Sequence, residues 1–303
     1  MKAMTKNKEF VPKSKMKVSK AYRTFQVFNT FIMIFVLLIT LYPFVYLVAQ
    51  SFSSESAIVA GKVNLLPVDF NAFTYVNVIK QGNFIRYYGN TVVYSITGTF
   101  LSILFCSMLA YPLSKPFLRG NKVIGPMIIF TMYFGGGLIP NYVLMTSLGL
   151  KDTVAAFILP GMIGTYYVLL MRSFFASIPQ DLEEAGLIDG LTHVGTFFRI
   201  TLPLSKPIIA TMFLFNLTGY WSSWFNAFLY LDTKSKWPVA YYLRQVIAGA
   251  SGNAALGNVA EANQVAANIK SCCMVLTALP LICIYPFIQK HFVQGMMLGG
   301  VKE

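Results

Sequence analysis

The run Asn216-Leu-Thr-Gly-Tyr-Trp-Ser-Ser-Trp-Phe-Asn-Ala-Phe-Leu-Tyr230 crowds amides, hydroxyls and aromatic rings into one short stretch. At helical spacing Asn216, Tyr220, Ser223, Ala227 and Tyr230 fall on one face, with Trp224 beside them. Such a face suits a saccharide, because rings cover the apolar C–H faces of a pyranose while amides and hydroxyls pair with its hydroxyl groups. The same residue types also have a plainer use. Trp and Tyr gather at membrane interfaces, and Asn and Ser join neighbouring helices by hydrogen bonds. Bond-making chemistry is not evident. The histidines are His193 and His291, and neither has the partners of a metal ligand or a catalytic base. Cys106, Cys272, Cys273 and Cys283 fit no zinc spacing, so apolar packing is expected of them. No Gly-x4-Gly-Lys-Ser/Thr phosphate loop is found, so the chain is not expected to hydrolyse ATP, and no cofactor or metal is assigned to it.

The second informative stretch is polar and lies between apolar ones, from Ser177 to Pro203. Pro179 suits a helix start, Asp181 to Ile188 carries helix formers, Gly190 can end that helix, and Thr192 can cap a second one. Glu184, Ala185, Gly190, Ile200, Leu202 and Pro203 resemble, in type and register, the EAA loop of ABC importer permeases. The resemblance implies a cytoplasmic coupling loop over 177–206 that docks in a cleft of an ATP-hydrolysing subunit, with its acidic positions at Glu184 and Asp189. Gly186 stands where the motif has a second alanine. The exchange costs about 1 kcal/mol of helix propensity and keeps a close-approach surface, so docking is expected to survive it.

Further resemblance, to the oligosaccharide-import branch of the same permeases, lies in Gly135 to Asp152 and in the ending Tyr285 to Lys302. Trp224 and Asn226 stand where the family has a Trp-Asn pair in its fifth span. The likeness extends over roughly residues 25 to 302.

These residues need a membrane scaffold to position them. At 56% hydrophobic and 12% charged residues over 303 positions, with a mean hydropathy of +0.60, the composition is that of a polytopic membrane protein. Six stretches are long enough to span: about 26–50, 88–113, 123–146, 154–172, 207–231 and 270–289. With the N-terminus inside, 16 of the 24 Lys and Arg residues fall in cytoplasmic segments, so by the positive-inside rule both termini and the segment 173–206, which holds the loop, should face the cytoplasm. The formal charge of +13 is thus read as membrane orientation rather than nucleic-acid binding. The apolar run from Val27 to Ala49 exceeds a signal-peptide core, and an uncleaved first span is expected. The organisation is then a basic tail, 1–24, a six-span domain, 25–290, and a short tail, 291–303.

Within the third span Phe134-Gly-Gly-Gly-Leu-Ile-Pro-Asn-Tyr142 should interrupt the helix, and backbone that leaves helical form at membrane depth must be buried in protein or face a wet cavity. Gly136 and Asn141 are therefore added to the candidate pathway, although the glycines could instead serve close helix packing. The exterior segment Ser51 to Arg86 is expected to be ordered. The other, Asp232 to Ile269, carries a flexible run at 248–257 and is expected to meet a delivery protein.

The expected fold is all-α, with the architecture of a type I ABC importer permease. The expected function is one permease subunit of a carbohydrate importer in a prokaryotic cytoplasmic membrane. The resemblance implies a second, non-identical permease, two ATPase subunits that bind ATP and Mg, and an external solute-binding protein. A permease for a peptide or other non-sugar solute would keep the same loop around a different cavity. A secondary transporter would need intramembrane ionisable groups, and these stretches carry none between their ends, where Arg172 and Lys270 stand.

Overall fold

The computed structural model describes residues 19–80, 83–255 and 268–286. Every regular element among them is helical. The first helix, α1, spans Lys20–Ser51, and the chain divides into two compact units after Tyr46. In the N-terminal unit the large side chains from Phe25 to Phe44 are exposed, as on a helix solvated by lipid.

The second unit begins with the segment predicted to be ordered. It forms α2, Glu55–Val59, capped by the Ser54 hydroxyl, which accepts from the Ala57 N–H, and α3, Phe73–Lys80. Phe52 stacks on Phe70 and Tyr75 at 5.4 and 4.8 Å, and the Tyr75 hydroxyl donates to Ser51 Oγ at 2.8 Å. Phe73 remains exposed.

The next helix, α4 (Asn83–Leu113), is long and unbroken. Its buried stripe runs through Thr91, Ser95, Gly98, Ser102, Cys106 and Ala110, small residues at helical spacing that let other helices approach closely without a hydrophobic drive from water. Five helices follow: α5 (Asn121–Tyr133), α6 (Leu138–Ser147), α7 (Val154–Ile158) running into a 3-10 turn at Leu159–Gly161, α8 (Thr165–Ala176) and α9 (Gln180–Ile188). Next come α10 (His193–Thr196), a π turn at Phe197–Thr201, α11 (Leu202–Leu204), α12 (Lys206–Trp221) and α13 (Phe225–Tyr230). After a 3-10 turn at Lys234–Lys236 the chain forms α14 (Val239–Ala255) and α15 (Asn268–Pro286). α4 packs along α12 and α8 at the centre of the unit.

Of the described helices, α1, α4 and α15 are each long and apolar enough to cross a membrane. Three bent pairs pass the same test together: α5 with α6 at 108°, α7 with α8 at 51°, and the α10–α11 stretch with α12 at 81°. Counting each pair as one span gives up to six; all but one coincide with stretches read from the sequence, the exception being the pair that begins in the 177–206 loop and ends at Trp221. The break expected at the three glycines is present, and Gly137 starts α6 from φ +88°, a conformation that glycine adopts without strain.

Two expectations need correction. The stretch 207–231 is not one helix, because α12 stops at Trp221 and α13 starts only at Phe225. Tertiary hydrogen bonds anchor the last turn of α12. The Trp221 indole donates to Thr277 O at 2.9 Å, while the Tyr220 hydroxyl donates to Ile158 O at 3.0 Å. Nor is the segment after it a loop throughout, since the residues at 248–255, read as flexible, belong to α14. That helix starts behind Pro238, and its Val239 N–H donates to the Thr91 hydroxyl of α4 at 2.7 Å. The remainder of the flexible run, both expected tails except for residues 19–24, and His291 lie outside the described residues.

Cys106, Cys272 and Cys273 are buried and Cys283 is exposed, all with free thiols. No cluster of three or more potential metal ligands occurs among the described residues.

Candidate coupling surface and substrate pathway

In the loop at 177–206, α9 and α10 fold against one another. Gly190, at φ +87°, reverses the chain, Leu191 N–H returns to Gly186 O at 2.9 Å, and the Thr192 hydroxyl accepts the Gly195 N–H at 3.2 Å. Gly186 is buried at this contact. A Cβ there would lie 2.5 Å from Ile200 Cδ1 and 3.3 Å from Leu191 Cδ1, so Gly186 lets these two side chains pack directly on α9. Ile200, Leu202 and Pro203 lie on the return from the loop toward α12. Pro203 offers no N–H and its ring crowds the preceding turn, and the helix widens to a π turn directly before it.

The loop has two sides. Leu182, Glu184, Ala185, Leu187, Ile188 and Asp189 are exposed, Ile188 to 86%. Glu183, Gly186, Thr196, Phe197 and Thr201 are buried. The sequence reading passed over Glu183. Its carboxylate meets Lys115 Nζ at 2.6 Å through Oε1 and 2.5 Å through Oε2, and it accepts hydroxyls from Thr201 at 3.1 Å and Tyr111 at 3.3 Å. The Lys115 ammonium also sits 4.7 Å from the centre of the Tyr111 ring. Removing one partner of such a buried pair typically costs about 3–5 kcal/mol, because the other charge is left without compensation. No local signal separates Glu183 from Glu184, since consecutive helical residues about 100° apart can share an exposed arc, as Leu187 and Ile188 do.

Among the candidate pathway residues, Asn216, Tyr220, Ser223 and Asn226 converge with Tyr167, Gly161 and Gly219 on a cavity of about 270 Å³. Asn216 Nδ2 donates to Met212 O at 2.9 Å, and Asn226 Nδ2 reaches Phe157 O at 3.5 Å, which fixes both amides at the wall. The helix break turns Trp224 away. It lines a second, mainly apolar cavity of about 400 Å³ with Trp221, Leu243, Arg244 and Met274, and its ring carries the Arg244 guanidinium at 4.0 Å. Ala227 and Tyr230 are buried in helix packing, Tyr230 stacked on Tyr142 at 6.2 Å. Gly136 and Asn141 are exposed beside the α5–α6 break and line neither cavity.

A polar clamp, also missed in the sequence, joins the α6–α7 connection to the segment after α13. Asp152, at φ +57°, accepts the Thr233 N–H at 3.0 Å, the Thr233 hydroxyl at 2.6 Å and Lys236 Nζ at 2.7 Å. Lys236, followed by Thr233, holds the Asp152 carboxyl well below the usual carboxylate range. From the other side, α4 grips the same segment through Asn90, which donates to Ser235 O and Trp237 O, and through the Tyr94 hydroxyl on Lys236 O.

Comparison with known proteins sets this geometry in context. The family described as "Binding-protein-dependent transport system inner membrane component" matches residues 16–298. The chain belongs to that family. The permease is 38% identical to protein LplC of Bacillus subtilis over 94% of its own length and 97% of the relative's. It is 37% identical to the polygalacturonan/rhamnogalacturonan transport system permease YtcP of the same organism, over 90% and 96%. A solved chain of a bacterial ABC transporter involved in the import of the acidic polysaccharide alginate superposes with a TM-score of 0.82 at 34% identity, over 91% of the permease and 99% of that chain. The permease is thus a multi-pass component of the cytoplasmic membrane that works with a binding protein, and it is a transport subunit rather than an enzyme.

Proposed function

We propose that this permease imports an oligosaccharide derived from a polysaccharide, by alternating access in a complex with a second, non-identical permease and two ATPase subunits. The observation that carries the reading is the cavity where Asn216, Tyr220, Ser223 and Asn226 gather with Tyr167: amides and hydroxyls for sugar hydroxyls, rings for sugar faces. The polysaccharide substrates named for YtcP and for the alginate transporter support it. Arg244, which pairs with no carboxylate among the described residues, would give a carboxylated saccharide a cation beside Trp224.

In this reading both termini and the 177–206 loop are cytoplasmic, as the distribution of basic residues favours. Glu184 and Asp189 then face an ATPase subunit, which binds ATP and Mg. Closure of the ATPase dimer does work on the permease only if it binds one permease state better than the other.

The test is ATP hydrolysis by the purified assembly in nanodiscs, with its binding protein, across neutral and acidic oligosaccharides and peptides. Stimulation by a saccharide class is the expected result. Stimulation by peptides alone would keep the coupling loop and overturn the substrate.

A further inference from the structure

Docking explains the exposed side of the 177–206 loop but gives no reason for the carboxylate on its buried side. Lys115 lies directly beyond the end of α4, and Tyr111 lies in the last turns of that helix. Glu183 therefore ties α9 to one end of α4, through an ammonium and a hydroxyl, while Thr201 joins it to the π turn. At the opposite end of α4, Asn90 and Tyr94 hold the backbone of residues 235–237, and Thr91 receives the first N–H of α14. Between these two sets of bonds the helix is continuous, whereas three other candidate spans are bent by 51° to 108°. From Asn90 to Tyr111 it runs about 30 Å at a rise of about 1.5 Å per residue.

We propose that Glu183 is a positioning residue whose ion pair with Lys115 joins α9 and α4 into one moving body, so that displacement of the docked loop reaches the segment Ser235–Val239 on the far side. The inference rests on the importer reading above, which supplies the docked ATPase. A rigid element bonded at both ends transmits a displacement, and Glu183 is where the loop takes hold of it. α14, which starts at the far end, carries Leu243 and Arg244 of the Trp224 cavity, so the same path ends on a candidate solute contact.

The experiment uses the complete assembly with its binding protein and compares hydrolysis and uptake in Glu183→Gln, Lys115→Met, Lys115→Arg and the exchange Glu183→Lys/Lys115→Glu. Glu183→Gln keeps the shape of the side chain but removes its charge and leaves one acceptor oxygen, so one of the two hydroxyls can still donate to it and the other must accept from its amide N–H. It should still co-purify with the ATPase subunits, while solute stimulation of hydrolysis and uptake falls by roughly tenfold, within the usual range of coupling free energies. Lys115→Met should match it. Lys115→Arg should keep most of the coupling and the exchange should recover part of it, which a role in packing alone would not produce. A saccharide-stimulated wild type together with an equally stimulated Glu183→Gln overturns this inference and leaves the importer reading standing. So does Lys115→Arg if it is as uncoupled as Lys115→Met. A wild-type assembly that no saccharide stimulates overturns the importer reading itself.

Discussion

Neighbouring side chains on the same helix do unlike work here because each is set by the face it lies on. Glu184 is exposed where Glu183 is buried, so reversing its charge should disturb contact with another subunit without breaking the Lys115 cluster. Glu184→Lys is expected to abolish solute-stimulated hydrolysis in the assembled complex, and unchanged stimulation would remove it from the docking face. Gly98 makes a different kind of prediction. A Cβ at this position would lie 2.7 Å from the ring of Tyr220, and that ring cannot swing aside without losing the bond from its hydroxyl to Ile158 O. Gly98→Ala should therefore destabilise the α4–α12 contact by about 1–3 kcal/mol, the usual cost of overpacking. It would be read as a lower thermal midpoint of the purified permease complex, and an unshifted midpoint would mean that the two helices part easily. Trp224→Ala removes the surface under Arg244 and opens the larger cavity. Uptake should weaken while assembly stays intact, and normal uptake would return Trp224 to a packing role.

Elements written in local sequence were legible. Three glycines and Pro140 announce the break between α5 and α6, and Pro179, Gly190 and Thr192 delimit the two short helices of the loop. What depends on distant partners was not. Glu183 and Lys115 are 68 residues apart, and the clamp between Asp152 and Lys236 crosses 84, so neither has a local pattern. The α12–α13 break escaped notice because the end of α12 is anchored by hydrogen bonds to residues on other helices, and helical spacing then grouped Trp224, Ala227 and Tyr230 with residues that face another way. The clamp gives a pH prediction. The Asp152 carboxyl has a lowered pKa in the folded protein, so its contribution is fully present above its unfolded value near 3.9 and is lost as pH falls through the folded value. Asp152→Asn should lower the thermal midpoint by a constant amount from pH 7 to about pH 5, and the gap to wild type should narrow only below about pH 4. A gap that closes between pH 7 and 5 would mean that the Lys236 contact does not hold the carboxylate.

At the scale of the whole molecule, the chain presents surfaces that it cannot satisfy alone. The N-terminal unit exposes a helix of Phe, Ile, Leu and Val that hydrocarbon can cover. The exposed side of α9 is different, because it lies in a polar loop and still carries Ile188 at 86% exposure, flanked by Leu187 and Asp189. An apolar side chain set among charges is the composition of an interface core with a polar rim, and in such interfaces a few central residues carry most of the binding energy. If α9 seats in a cleft of an ATPase subunit, Ile188 is the side chain that loses most water on docking. Ile188→Asp should then reduce co-purification of the ATPase subunits by tenfold or more, since a buried, unpaired charge replaces an apolar contact, and tenfold is about 1.4 kcal/mol. The same variant should insert into the membrane and retain the Glu183–Lys115 cluster, because residue 188 touches neither. Full recovery of the ATPase subunits with Ile188→Asp would move the docking surface off this face of α9 and leave Glu184 without its assigned partner.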